Sequence, residues 1–88
     1  MVEKRKEPRK TFLARAEVRW NHPPDQPNVS SALIEDSSSS GICVRVRKPI
    51  SVGLRIEIRW HNNHVVGIVR NCRKDGFEYV VGIQRDVT

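Results

Sequence analysis

The stretch Leu54-Arg55-Ile56-Glu57-Ile58-Arg59-Trp60 alternates without exception, with Leu54, Ile56, Ile58 and Trp60 apolar and the three residues between them charged. Successive side chains of a strand point to opposite faces, so this period of two predicts a strand with one face on a core and the other in water. A helix would scatter the same four apolar residues around its circumference.

The same pattern extends in both directions. Upstream, Ile42, Val44 and Val46 alternate with Cys43, Arg45 and Arg47 until Pro49, and Phe12, Ala14, Ala16, Val18 and Trp20 alternate with Leu13, Arg15, Glu17 and Arg19. Another strand is expected from about Ser31 to Asp36. Between Asn21 and Asn28, Pro23, Pro24 and Pro27 cannot donate to a ladder, which predicts an extended loop long enough to cross an end of the sheet. Downstream, His61-Asn62-Asn63-His64 predicts a tight turn, since asparagine tolerates the left-handed conformation that hairpins use, and Val65 to Cys72 a strand. Asp75-Gly76 is a hairpin signal. Phe77, Tyr79, Val81 and Ile83 then alternate with Glu78, Val80 and Gln84 in a last strand. Six strands without helical periodicity make the chain all-β, and a small antiparallel β-barrel both buries the apolar faces and removes exposed edges.

Eighty-eight residues are enough for one such domain. The formal charge of +6 and the pI of about 10.0 point to an anionic partner. No apolar run is long enough to span a membrane, and the charged start, MVEKRKEPRK, has no apolar segment behind it, so a cytoplasmic location is expected. In that setting Cys43 and Cys72 are expected as reduced thiols, and the glycosylation pattern at Asn28 carries no weight. Residues 1–10 hold Lys4, Arg5, Lys6, Arg9 and Lys10 around Pro8, which predicts a flexible basic arm ahead of a domain over 11–88.

Two strings carry chemistry. Arg5 and Arg9, four residues apart, each offer a planar fork of donors suited to a phosphate or to the O6/N7 edge of guanine. Asp36-Ser37-Ser38-Ser39-Ser40-Gly41 offers a carboxylate, hydroxyls and free N–H groups at a strand-to-strand turn, with Gly41 expected to supply positive φ. In this order, RxxxR followed by DxSxxG on an all-β background resembles the PilZ domain, the bacterial receptor module for cyclic di-GMP. Every position of both motifs is filled, and Tyr79-Val80-Val81-Gly82-Ile83 looks like the family's last strand.

The resemblance implies a six-stranded, split, Greek-key-like barrel, here with little or no C-terminal helix. It implies a non-enzymatic receptor with cyclic di-GMP as ligand and no cofactor. Arg5 and Arg9 would hold guanine edges and phosphates, Asp36 would accept from guanine N1–H and N2–H2, Ser38 would add a hydroxyl, and Gly41 would keep a Cβ out of the way. Lys4 occupies a position associated in the family with the number of ligands bound. Ordering of the arm on binding would alter contacts with a downstream protein, in processes such as motility, exopolysaccharide production or virulence.

Other assignments are weaker on chemical grounds. His22, His61 and His64 lack a cysteine or carboxylate at ligand spacing, which argues against a metal site. Trp20 and Trp60 share the apolar registers of their strands, which leaves few aromatics to stack bases. A barrel binding single-stranded nucleic acid is therefore the alternative rather than the leading reading. A PilZ-type adaptor without ligand is a further alternative, and the intact arginines argue against it.

Overall fold

The computed structural model describes residues 10–22 and 25–86. They form β1 (Lys10–Asn21), β2 (Pro27–Ser37), β3 (Gly41–Val46), β4 (Arg55–Trp60), β5 (Asn63–Asp75) and β6 (Glu78–Arg85). All neighbours are antiparallel, and the strands close into a barrel in the order β1-β2-β3-β6-β5-β4. Alternation builds the core: Val18, Ile34, Val44, Ile56, Ile58, Val69 and Val81 are completely buried, while their sequence neighbours face out. Each such side chain contributes about 1.5–3 kcal/mol relative to remaining in water.

Four of the five connections are hairpins, and the exception gives the barrel its Greek-key path. β3 and β4 lie on opposite sides of the ring, so residues 47–54 must traverse one end. Ile50, in that crossing, is 1% exposed and belongs to the core cluster, so the connection also plugs the barrel. The proline-rich segment was expected to do this, and it does not. β2 begins at Pro27, which pairs with Asn21, and the β1–β2 connection is a hairpin loop. A proline at the first position of a strand withdraws no donor that the ladder needs. The loop is braced instead by His22 N–H donating to the Gln26 carbonyl at 3.0 Å and by Asn28 Nδ2 donating to the carbonyls of His22 and Gln26.

Three further expectations shift. Phe77 belongs to the turn between β5 and β6 and is 97% exposed, because Asp75 pairs with Glu78 and only Gly76 and Phe77 remain between them. Gly76 takes φ 67°, and Phe77 follows as the second turn residue. At the β4–β5 turn the left-handed residue is His61, with φ 52°, rather than an asparagine. Val80 faces outward yet is only 5% exposed, since its cross-strand neighbours are Arg45 and Arg73, whose aliphatic stems can cover it. Phe12 and Leu13 were assigned to opposite faces of β1; their side chains, and Pro23 and Pro24, lie outside what is described.

Candidate functional site

Asp36 should face the core by simple alternation, because Ile34, two residues earlier, is completely buried. The β2–β3 ladder prevents this. Ile34 pairs with Val44 and Asp36 with Cys43, so Glu35 is an extra residue in β2 and the register shifts by one. A bulge of this kind sends the following side chain to the other face. Asp36 therefore lies in an outward register. Glu35 is held aside by Arg45, whose Nε donates to Glu35 Oε2 at 2.8 Å while its Nη1 donates to Asp75 Oδ2 at 3.0 Å.

β5 repeats the device. Val69 is completely buried and pairs with Ile83, but Asn71 pairs with the outward Gly82, which leaves Arg70 as the extra residue. The two bulges complete an outward row across four strands, Asp36, Cys43, Gly82 and Asn71. Its middle is low: Gly82 has no side chain, and a Cβ built there would lie 2.7 Å from Asn71 Oδ1 and 2.9 Å from its Nδ2. The Asn71 carboxamide therefore lies across Gly82, on the floor of the row.

The turn after β2 closes one side. Ser38 N–H donates to the Gly41 carbonyl at 2.8 Å, and Gly41 N–H donates to Ser38 Oγ at 3.3 Å, so the Ser38 hydroxyl braces its own turn. Arg85 ties the turn to β6, its N–H donating to the Ser40 carbonyl at 2.9 Å and its Nη1 to the Ser38 carbonyl at 2.7 Å. Gly41 does not adopt positive φ, contrary to expectation. It stands in β3, where a Cβ would approach the Ile83 carbonyl oxygen to 3.2 Å, so what glycine supplies there is clearance for β6.

Between turn and β5 bulge lies a cavity of about 530 Å³. Asp36, Ser38, Gly41, Cys43, Arg70 and Asn71 are among its lining residues. It offers a carboxylate, a guanidinium and a carboxamide around a small floor. Burial pushes the Cys43 thiol above its ordinary pKa, and the nearby carboxylates of Asp36 and Glu35 add to the shift, so at neutral pH the group is a protonated thiol. Cys43 and Cys72 are both free.

Of the residues singled out in the sequence, Asp36, Ser38 and Gly41 line one cavity, and Lys4, Arg5 and Arg9 lie outside the described residues. Lys10 and Thr11, at the start of β1, pair with Ser37 and Asp36, so the chain enters the barrel beside the turn. Arg70 and Asn71 escaped the sequence reading. The signal was present as a slip of phase in β5, where Val65 and Val69 keep one parity and Cys72, which packs on the core, takes the other. Among the described residues no group of three His, Cys, Asp or Glu side chains converges to hold a metal, and no helix is long and apolar enough to cross a membrane.

Comparison with known proteins agrees with this architecture. The family profile described as PilZ domain matches residues 3–88, and the chain belongs to that family. No curated protein matches it. Among solved structures it is similar to one titled as the complex of K. pneumonia MrkH with c-di-GMP, at 16% identity and a TM-score of 0.68. The match covers 98% of this chain and 46% of that one, so this chain spans less than half of its length. At that identity the likeness concerns the fold.

Proposed function

We propose that this PilZ domain is a non-enzymatic receptor for cyclic di-GMP, with residues 1–10 acting as an arm that joins the ligand and the domain over 11–88. The observation that carries the reading is the β2 bulge, which turns Asp36 out of the core and into a polar cavity beside the entry of the chain at Lys10. A carboxylate there accepts from guanine N1–H and N2–H2, the edge of this ligand that donates. The matching family is the one the motifs resemble, and a similar fold carries c-di-GMP in the MrkH complex.

Arg5 and Arg9 supply the cations. Arg9 adjoins Lys10, and Arg5 is five residues before it, within about 18 Å of extended chain. Each guanidinium suits a phosphate or a guanine Hoogsteen edge. Ser38 and Gly41 act by shaping the turn, and Lys4 influences how many ligands are held. Binding orders the arm, and the ordered arm alters contacts with a downstream protein, the output of the receptor.

Calorimetric titration with cyclic di-GMP tests this. Saturable binding is expected, with Asp36→Ala, Arg5→Ala and Arg9→Ala each weakening it by about 1–3 kcal/mol, the usual worth of one good base contact. Absence of saturable heat in the unaltered chain would remove the reading. Tight, steeply salt-dependent binding of a generic oligonucleotide in its place would favour the nucleic-acid alternative.

A further inference from the structure

Arg70 shares with Arg15, Arg47, Arg59 and Arg73 the lack of an ion-pair partner among the described residues, and its place on the cavity sets it apart. Arg19 pairs with Glu17, Arg45 with Glu35 and Asp75, and Arg55 with Asp86, while Arg85 is committed to the Ser38 carbonyl. Arg70 makes no hydrogen bond or ion pair among the described residues, and it is the one cation of those that line the cavity. The bulge that carries it interrupts a ladder otherwise continuous from Gly67 to Asp75, and an interruption of this kind is tolerated where it aims a side chain. Its neighbour Asn71 is aimed by the same bulge, and Gly82 leaves the space into which that carboxamide settles.

We infer that the β5 bulge is a second ligand-binding wall of the cyclic di-GMP site, with Arg70 pairing with a phosphate of the ligand and Asn71 fixing the base that Asp36 holds at its other edge. The inference rests on the receptor reading above and adds to it two residues outside both motifs. The dimensions agree. The Asn71 carboxamide, over Gly82 in β6, lies two strand spacings from β2, about 10 Å across the sheet. A purine laid over Cys43 with its donating edge on Asp36 spans most of that distance and brings its far edge to the carboxamide, which offers both a donor and an acceptor. The dianionic ring of the ligand then passes beside the bulge, where Arg70 supplies a fork of donors.

The test is calorimetric titration of the full chain with cyclic di-GMP at two salt concentrations, using Arg70→Gln, Arg70→Lys, Asn71→Ala and Asp36→Ala, with thermal unfolding of each. Arg70→Gln is expected to weaken binding about tenfold and to flatten its salt dependence, since one charge-assisted contact is lost. Arg70→Lys keeps the charge and is expected to retain the salt dependence. Asn71→Ala is expected to weaken binding severalfold with the salt dependence intact. A merely structural role for the bulge would lower the melting temperature of Arg70→Gln and Arg70→Lys alike and leave the salt dependence unmoved, which overturns the inference. Wild-type affinity in Arg70→Gln and Asn71→Ala, with binding lost in Asp36→Ala, also overturns it and leaves the receptor reading standing. Failure of the unaltered chain to bind removes both.

Discussion

A methyl group added at Gly82 and one added at Gly67 meet different neighbours. At Gly82 it meets the amide end of the Asn71 side chain, which can rotate away; at Gly67 it runs into the backbone carbonyl oxygen of Gln84 and the Ile83 side chain. Gly67→Ala is therefore expected to cost about 1–3 kcal/mol, the usual range for overpacking against atoms that cannot yield, whereas Gly82→Ala costs less than about 1 kcal/mol. Chemical denaturation measures both. The gentler substitution still evicts Asn71 from the floor of the cavity, so Gly82→Ala is expected to lose ligand affinity while keeping its stability. Cys43 provides an independent probe of the same floor. Because burial, then Asp36 and Glu35, raise its pKa, the thiolate fraction at pH 7–8 is smaller than that of a free cysteine. Alkylation at Cys43 is expected to be slower than that of glutathione and to accelerate as the pH is raised past the ordinary thiol range. It is also expected to be faster in Asp36→Asn, which removes one of the causes. Mass spectrometry of peptides containing Cys43 over a pH series reads this, and a rate equal to that of glutathione would show that the floor is open to water.

Strands and turns account for most of what was legible in the sequence. Period-two alternation located β1, β3, β4 and β6, because each has one face on a single core, while β2 and β5, whose alternation the bulges interrupt, were bounded by the proline and turn signals around them. Strand ends were less legible, since the ends of β2 and β5 reach past the core and lose the apolar signal: Pro27, Val29 and Arg73–Asp75 are exposed. The turn carrying Asp36, Ser38 and Gly41 could be read as a motif, but its orientation could not, because the residue that sets it is Glu35, whose only mark is that Asp36 follows Ile34 at a spacing that ought to be buried. The β5–β6 hairpin makes the distinction between pattern and role testable. Phe77 continues the alternation of β6 by parity but is 97% exposed at the turn, while Gly76 holds φ 67°. Phe77→Ser is expected to change stability by less than about 0.5 kcal/mol, and Gly76→Val, a β-branched residue at positive φ, to cost about 1–3 kcal/mol. Paired denaturation curves check it: a large loss in Phe77→Ser would mean that the ring is covered in solution.

At the scale of the whole molecule, closure separates stability from the site. The ring order follows from one connection, residues 47–54, whose path across the barrel no local pattern announces; Ile50 looks in sequence like any apolar residue after a proline. Its side chain fills the end of the barrel among core residues, and the Arg55 guanidinium holds Asp86 at 2.8 Å where the chain leaves β6. The proposed cyclic di-GMP site, by contrast, lies on the outer face of β2, β3, β6 and β5, on the solvent side of the wall that Ile42 and Val44 line from within. Truncating Ile50 removes atoms from a fully buried position inside a closed barrel whose sheet cannot collapse onto the gap, so Ile50→Ala is expected to cost about 2–5 kcal/mol. In a domain of this size that corresponds to a fall in melting temperature of at least about 8 °C. The outward registers of Asp36 and Asn71 are fixed by strand pairing and not by the plug, so the affinity of the folded variant for cyclic di-GMP, measured well below its melting temperature, is expected to stay within about twofold of the unaltered chain. Thermal unfolding and calorimetric titration on the same preparation separate the two quantities. A large loss of affinity at a temperature where the variant is fully folded would show that the crossing connection shapes the ligand face through the barrel wall.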